Sequence, residues 1–261
     1  MSQPIVTRDL LHVRHEEASV AAANLHYRRL NELVHEALAR GARRLRLQGV
    51  NGQRYLADGL RGEDIEMQID GVPGNDLAAF MDGPSVEVLG NAQDGIGNTM
   101  NAGRVVVHGD AGDVAGYGMR GGSIYIRGNA GYRVGIHMKE YAGSRPAIVV
   151  GGRVGAFLGE YMAGGLIIVL GLGAGSRPLV GDYCGTGMHG GVIAVRGRLD
   201  EEHMSPHVQA RPAGEAEMAM LEPYLAEYTR LFDASPARLT ADPYWLLCPA
   251  STRPYGNKYA L

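Results

Sequence analysis

Val105-Val-Val-His-Gly109 returns nineteen residues later as Ile124-Tyr-Ile-Arg-Gly128 and, after an insertion, as Ile148-Val-Val-Gly-Gly152. Each copy places two apolar residues two positions apart and a glycine two positions further on. Working outward, the same triplet recurs at Leu45/Leu47/Gly49, Met67/Ile69/Gly71, Val86/Val88/Gly90, Ile167/Val169/Gly171 and Ile193/Val195/Gly197. The eight copies have glycine-to-glycine spacings of 22, 19, 19, 19, 24, 19 and 26. Alternation with period two marks a short strand with one buried face. A unit this short cannot bury that face alone, so the units must stack with their strands in parallel register. The spacing therefore predicts an all-β fold, a parallel β-helix of about eight coils over residues 42–200.

The segments before the strands, such as Met119-Arg-Gly-Gly122 and Met188-His-Gly-Gly191, read as turns where glycine lets the chain change direction. The two longest spacings mark insertions at Met138 to Arg145 and Gly173 to Asp182. Both flanks read as caps. Within residues 1–41, Arg14 to Arg40 carries an apolar stripe at helical spacing that ends at Gly41, and it predicts a helix over the first coil. Within residues 201–261, Glu222-Pro223 reads as a helix start, followed by an apolar stripe from Tyr224 to Phe232. From Pro236 to Leu261 the absence of periodicity predicts an extended tail.

Composition narrows the function classes. Glycine supplies 39 of the 261 residues, about twice its usual share, yet 45% of the chain is hydrophobic, so the glycine belongs to ordered structure. A net charge of −3 offers no footprint for nucleic acid or an anionic membrane. The most apolar stretch, Ala163 to Gly175, is too short to span a bilayer, and no basic-then-apolar leader precedes the fold, so the expected location is cytoplasmic. Cys184 and Cys248 stand alone in the chain, which argues against a disulfide framework and a zinc or iron–sulfur ligand set.

Several motifs invite an enzymatic reading. Gly116-Tyr-Gly-Met-Arg-Gly121 and Gly185-Thr-Gly-Met-His-Gly190 match a dinucleotide fingerprint by letter, but each opens onto a predicted strand rather than a helix. His108, His137 and His189 suggest an acyltransferase base, yet the repeat intervals are not the multiples of six that a hexapeptide coil requires. His203 and His207 lie in a proline-containing loop with no convergent ligands. His137-Met-Lys-Glu-Tyr141 mixes acid–base groups in the first insertion without a neighbouring nucleophile or cofactor motif, so a solvated loop is the expectation. A polysaccharide-lyase-type β-helix would align carboxylates on successive coils, whereas the outward mid-strand row holds only Glu87. That row reads Arg46, Gln68, Glu87, Val106, Tyr125, Val149, Ile168, Ala194. It turns apolar halfway along, and the apolar part needs a cover from the C-terminal helix or another chain.

Five unusual strings resemble one family: Asn51-Gly-Gln-Arg-Tyr55, Gly90-Asn-Ala-Gln-Asp-Gly-Ile-Gly-Asn-Thr-Met-Asn101, Gly131-Tyr-Arg-Val-Gly-Ile-His-Met-Lys-Glu140, Gly159-Glu-Tyr-Met-Ala-Gly-Gly165 and Pro249-Ala-Ser-Thr-Arg-Pro-Tyr-Gly256. Together they are similar to the GXGXG β-helix domain of glutamate synthase, in the form found where that enzyme is split into subunits. The coil-bearing subunits of formylmethanofuran dehydrogenase and of the bacterial formyltransferase/hydrolase complex are more distantly similar. The resemblance implies a right-handed coil that joins a glutamine amidotransferase to a synthase subunit. FMN and iron–sulfur clusters would reside in the partners, and no cofactor, metal or catalytic residue is carried over to this chain. The implied product of that assembly is glutamate from glutamine, 2-oxoglutarate and reductant, while a role in formyl transfer would keep the scaffold and change the partners. Contact residues are then expected in the apolar strip, the first insertion and the tail, with Tyr125, Tyr141, Arg253 and Tyr255 as aromatic and arginine anchors. A homo-oligomer is compatible with the same features.

Overall fold

The computed structural model describes residues 10–253. Twelve strands form one continuous sheet in the order β1-β2-β3-β4-β5-β6-β7-β8-β9-β10-β12-β11. The parallel stack runs from β2 (Glu17–Ala21) through β3 (Arg44–Asn51), β4 (Glu66–Val72), β5 (Asp82–Val88), β6 (Ala102–Val107), β7 (Ser123–Ile126), β8 (Ala147–Val150) and β9 (Ala163–Val169) to β10 (Gly190–Arg196). Each repeat contributes one strand, and the predicted triplets fall into register: Val105, Ile124, Ile148, Ile167 and Ile193 form one inner ladder. All five are fully buried, and so is the parallel ladder through Val107, Ile126, Val150, Val169 and Val195. The architecture is an all-β parallel solenoid of about six turns, fewer than the eight coils expected.

Those end elements differ from the sequence expectation. The predicted helix from Arg14 begins only at Tyr27. Ahead of it, β1 (Leu11–Arg14) and β2 form an antiparallel hairpin whose second strand pairs with β3. The period-two pair Ala18 and Val20 is buried beneath it, a strand pattern that the helical stripe further along had masked. The helix α1 (Tyr27–Ala39) then buries Leu30, Leu33, Val34 and Ala37 against the first coil.

At the other end α2 (Glu215–Phe232) starts before the predicted Glu222-Pro223 signal, with Glu217 accepting the Gly214 amide hydrogen at 3.0 Å. Pro223 thus lies inside the helix, where its exposed position leaves the orphaned carbonyl of the preceding turn to water. The predicted tail is also more ordered than expected. It forms α3 (Pro236–Thr240) and then β12 (Tyr244–Pro249), which pairs antiparallel with both β10 and β11 (Val208–Pro212). Covering the last parallel strand in this way moves the sheet edge to the short strand β11, which carries Pro212.

The helix α2 lies over the outward apolar row. Val106, Tyr125, Val149, Ile168 and Ala194 are buried in a second core with Leu221, Leu225, Tyr228, Phe232, Leu239 and Leu246. Arg104 anchors this layer through an ion pair with Glu227 at 2.6 Å, and the Tyr228 hydroxyl donates to the Arg127 carbonyl at 3.1 Å. No helix among the described residues is long and apolar enough to cross a membrane.

Candidate functional site: an aromatic wall on left-handed turns

Opposite the strands, each coil closes through a turn in which every second residue has positive φ. In one coil these are Arg133, Gly135 and His137, in the next Phe157, Gly159 and Tyr161, and in the next Tyr183, Gly185 and Gly187. The alternation points successive amides up and down the stack. Arg133 donates to Ala156 O at 2.9 Å and His137 to Glu160 O at 3.0 Å in the following coil, while Gly135 donates to Ala115 O at 2.8 Å in the preceding one. These bonds give the wall a ladder without β geometry.

The middle residue of each triplet faces the core. A Cβ at Gly135 would lie 2.5 Å from Cδ1 of Ile167, and one at Gly159 would lie 2.6 Å from Cδ1 of Ile193. Those positions admit little beyond hydrogen. The outer residues face solvent, where left-handed backbone costs a side chain about 1–2 kcal/mol. Glycine would avoid that cost, yet Arg133, His137, Phe157, Tyr161 and Tyr183 occupy these positions with φ between 53° and 62°.

Their side chains stack from coil to coil. Phe157 and Tyr183 lie face to face with centroids 5.0 Å apart, and the Arg133 guanidinium sits 4.7 Å from the Phe157 centroid. Four residues along the chain, His137 stacks on Tyr161 at 5.3 Å and meets Tyr117 edge-on at 5.8 Å. An Arg133–Glu160 ion pair at 2.9 Å ties the two columns together. Tyr183 remains 60% exposed and Tyr161 37%, so the rings form a surface rather than a core.

The predicted contact residues fare unevenly. Tyr125 is only 4% exposed beneath α2, so the chain itself covers it and it cannot anchor a partner. Burial pushes its phenol up to about 12. Tyr141 is 63% exposed at the tip of the first insertion, where its backbone and that of Ser144 bond reciprocally. Arg253 is exposed at the end of the described chain, and Tyr255 lies outside the described residues. The acid–base mixture of the first insertion is dispersed: His137 joins the ring column, Met138 is buried, and Glu140 accepts the Gly165 amide hydrogen. Both fingerprint-like segments belong to the left-handed wall and lead to β7 and β10. Cys184 is fully buried, and desolvation pushes its thiol up to about 12.

The wall itself escaped the sequence reading, which followed glycine and the strands. A signal was present: aromatic residues recur two positions before or after the inner glycine, at Phe157, Tyr183, His137 and Tyr161.

Comparison with known proteins bears on the coil and the family. The chain is 44% identical over 252 residues to an uncharacterized protein of Methanocaldococcus jannaschii, covering 94% of this chain and 97% of that protein. A chain of the formyltransferase/hydrolase complex of Methylorubrum extorquens, whose crystal structure was solved with methylofuran, is similar in fold with a TM-score of 0.59. The likeness covers 78% of this chain and 73% of that one at 24% identity, and it speaks for the fold alone. The model of the GXGXG motif matches residues 40–244, the span that holds the coils and their alternating left-handed turns, and the chain belongs to that family.

Proposed function

We propose that this chain is a non-catalytic scaffold subunit of a multi-subunit enzyme complex and that its aromatic wall docks a partner. The observation that carries the reading is the recurrence of non-glycine side chains, Arg133, His137, Phe157, Tyr161 and Tyr183 among them, held in left-handed backbone at a solvent-facing surface. A strain repeated coil after coil, where the fold's own motif offers glycine, calls for a compensating gain outside the isolated chain.

Of the two assemblies, the formyltransferase/hydrolase type has the better support, because a solved chain similar in fold belongs to such a complex. The glutamate synthase type, with a glutamine amidotransferase and an FMN- and iron–sulfur-bearing synthase as partners, is supported by the strings Gly90 to Asn101 and Gly131 to Glu140. Co-expression with the products of neighbouring genes, capture through this chain and mass spectrometry test the reading. Formyltransferase and hydrolase subunits in stoichiometric amount are expected. Amidotransferase and flavin-synthase subunits would select the second assembly, and a lone chain would overturn the scaffold role.

A further inference from the structure

The helix α2 presents a second surface besides the one that seals the sheet. Leu221, Leu225, Tyr228 and Phe232 are buried over the strands. Beside them α2 forms a groove of about 610 Å³ with α3. The α2 residues that line it recur every seven positions: Glu215, Glu222 and Thr229, then Met218 and Leu225, then Ala219 and Ala226. A seven-residue repeat is the spacing at which a second helix keeps contact along the length of the first. The stripe covers about 21 Å of helix axis. Its floor is apolar, built from Met218 and Leu225 of α2 and Leu239 of α3, and the two exposed alanines leave room for another backbone to approach.

The charge of the groove is of one sign. No lysine or arginine lines it, and neither the Glu215 nor the Glu222 carboxylate has a hydrogen bond or ion pair to another described residue. Glu215 stands in the first turn, where the helix dipole favours a carboxylate, whereas Glu222 lies two turns further on without that support. Pro223 supplies no amide hydrogen to the Ala219 carbonyl, one turn back on the same stripe. The neighbouring carboxylates of α2 are already matched, Glu217 with Arg211 and Glu227 with Arg104 and Arg230. The groove therefore joins apolar surface to acceptors that lack a cation.

We propose that the groove between α2 and α3 receives a helix of a partner subunit, its apolar stripe seated on Met218, Leu225 and Leu239 and its flanking lysine or arginine residues meeting Glu215 and Glu222. This rests on the scaffold reading above for the existence of a partner and uses a surface separate from the aromatic wall. Charge complementarity selects the occupant. A second copy of this chain is the wrong match, because two α2 stripes laid together would bury four carboxylates with no cation between them.

Fluorescence anisotropy of the purified chain with two labelled three-heptad helical peptides tests the inference. Both peptides carry leucine along the seam, and one has lysine beside it where the other has glutamate. The lysine peptide should bind roughly tenfold tighter than the glutamate peptide, and Glu215→Lys with Glu222→Lys should reverse that order. Ala226→Trp fills the groove from an exposed position, so it should abolish binding of the lysine peptide while the melting temperature stays within a few degrees. Equal affinity for the two peptides, or unchanged lysine-peptide binding by Ala226→Trp, would overturn the assignment. So would a dimer of the purified chain that Ala226→Trp dissociates in sedimentation equilibrium, which gives the groove to a second copy. Binding of the lysine peptide by a chain shortened after Arg253 but not by the full chain would overturn it too, giving the groove to residues 254–261. The co-expressed complex separates this inference from the scaffold reading. If wild type and Ala226→Trp assemble equally well with the partner subunits, the groove assignment falls and the scaffold role stands. If wild type is recovered as a lone chain, the scaffold role falls and the groove loses its partner with it.

Discussion

Tyr125 on β7 and Tyr228 on α2 share the apolar layer between sheet and helix, and burial moves both phenols from 10.0 up to about 12. Tyr244, in the same layer, is raised further by the same cause. In the unfolded chain these groups ionise near 10, while the folded chain holds them neutral well above that. Their contribution to stability is therefore intact below pH 10 and is lost as the pH climbs towards 12, by on the order of 2 kcal/mol for each ring. Urea unfolding of wild type should show a falling midpoint between pH 10 and 12. Tyr125→Phe should show a shallower fall over the same range, and an unaltered alkaline profile would place Tyr125 in water.

The left-handed turn predicts opposite outcomes for two substitutions in one element. Gly135→Ala adds a Cβ that meets Ile167 in the core and strains a φ of 70°, so a loss of about 2–3 kcal/mol is expected. Tyr161→Gly relieves strain at a φ of 53° on the outer face and gives up a ring contact with His137, so thermal unfolding should shift by only a few degrees. Comparable destabilisation by both would mean that the outer rings act as core. The strands were legible because alternation reports a buried face directly. The turn was not, since its bulky residues occupy a backbone region in which a sequence leads one to expect glycine.

Across the whole molecule, the expected contact residues that stay exposed among the described residues are Tyr141 and Arg253, far apart in sequence and both clear of the two cores. Tyr141→Ala with Arg253→Ala should weaken assembly with partner subunits at least several-fold while leaving the melting temperature of the isolated chain nearly unchanged. Size-exclusion chromatography of the co-expressed complex gives the first quantity and calorimetry the second. A complex formed as well as wild type would remove Tyr141 and Arg253 from the contact surface. The hairpin before α1 and the strand β12 were misread for one reason. Short segments at the ends of a solenoid take their form from the edge they cover, and that edge lies far from them in sequence.

By itself the sequence determined the parallel stack and the register of its inner ladder, because eight copies of one short pattern can bury their apolar residues only against each other. It also showed that the later five members of the outward row needed a cover. Only the tertiary structure decided what supplies it, since whether α2 or another chain lies on Tyr125 and Ile168 depends on where the C-terminal segment returns after the last coil. The aromatic wall was a tertiary decision as well. Rings at Phe157 and Tyr183 are 26 residues apart in the chain, and only the closing of a coil between them brings their centroids to 5.0 Å.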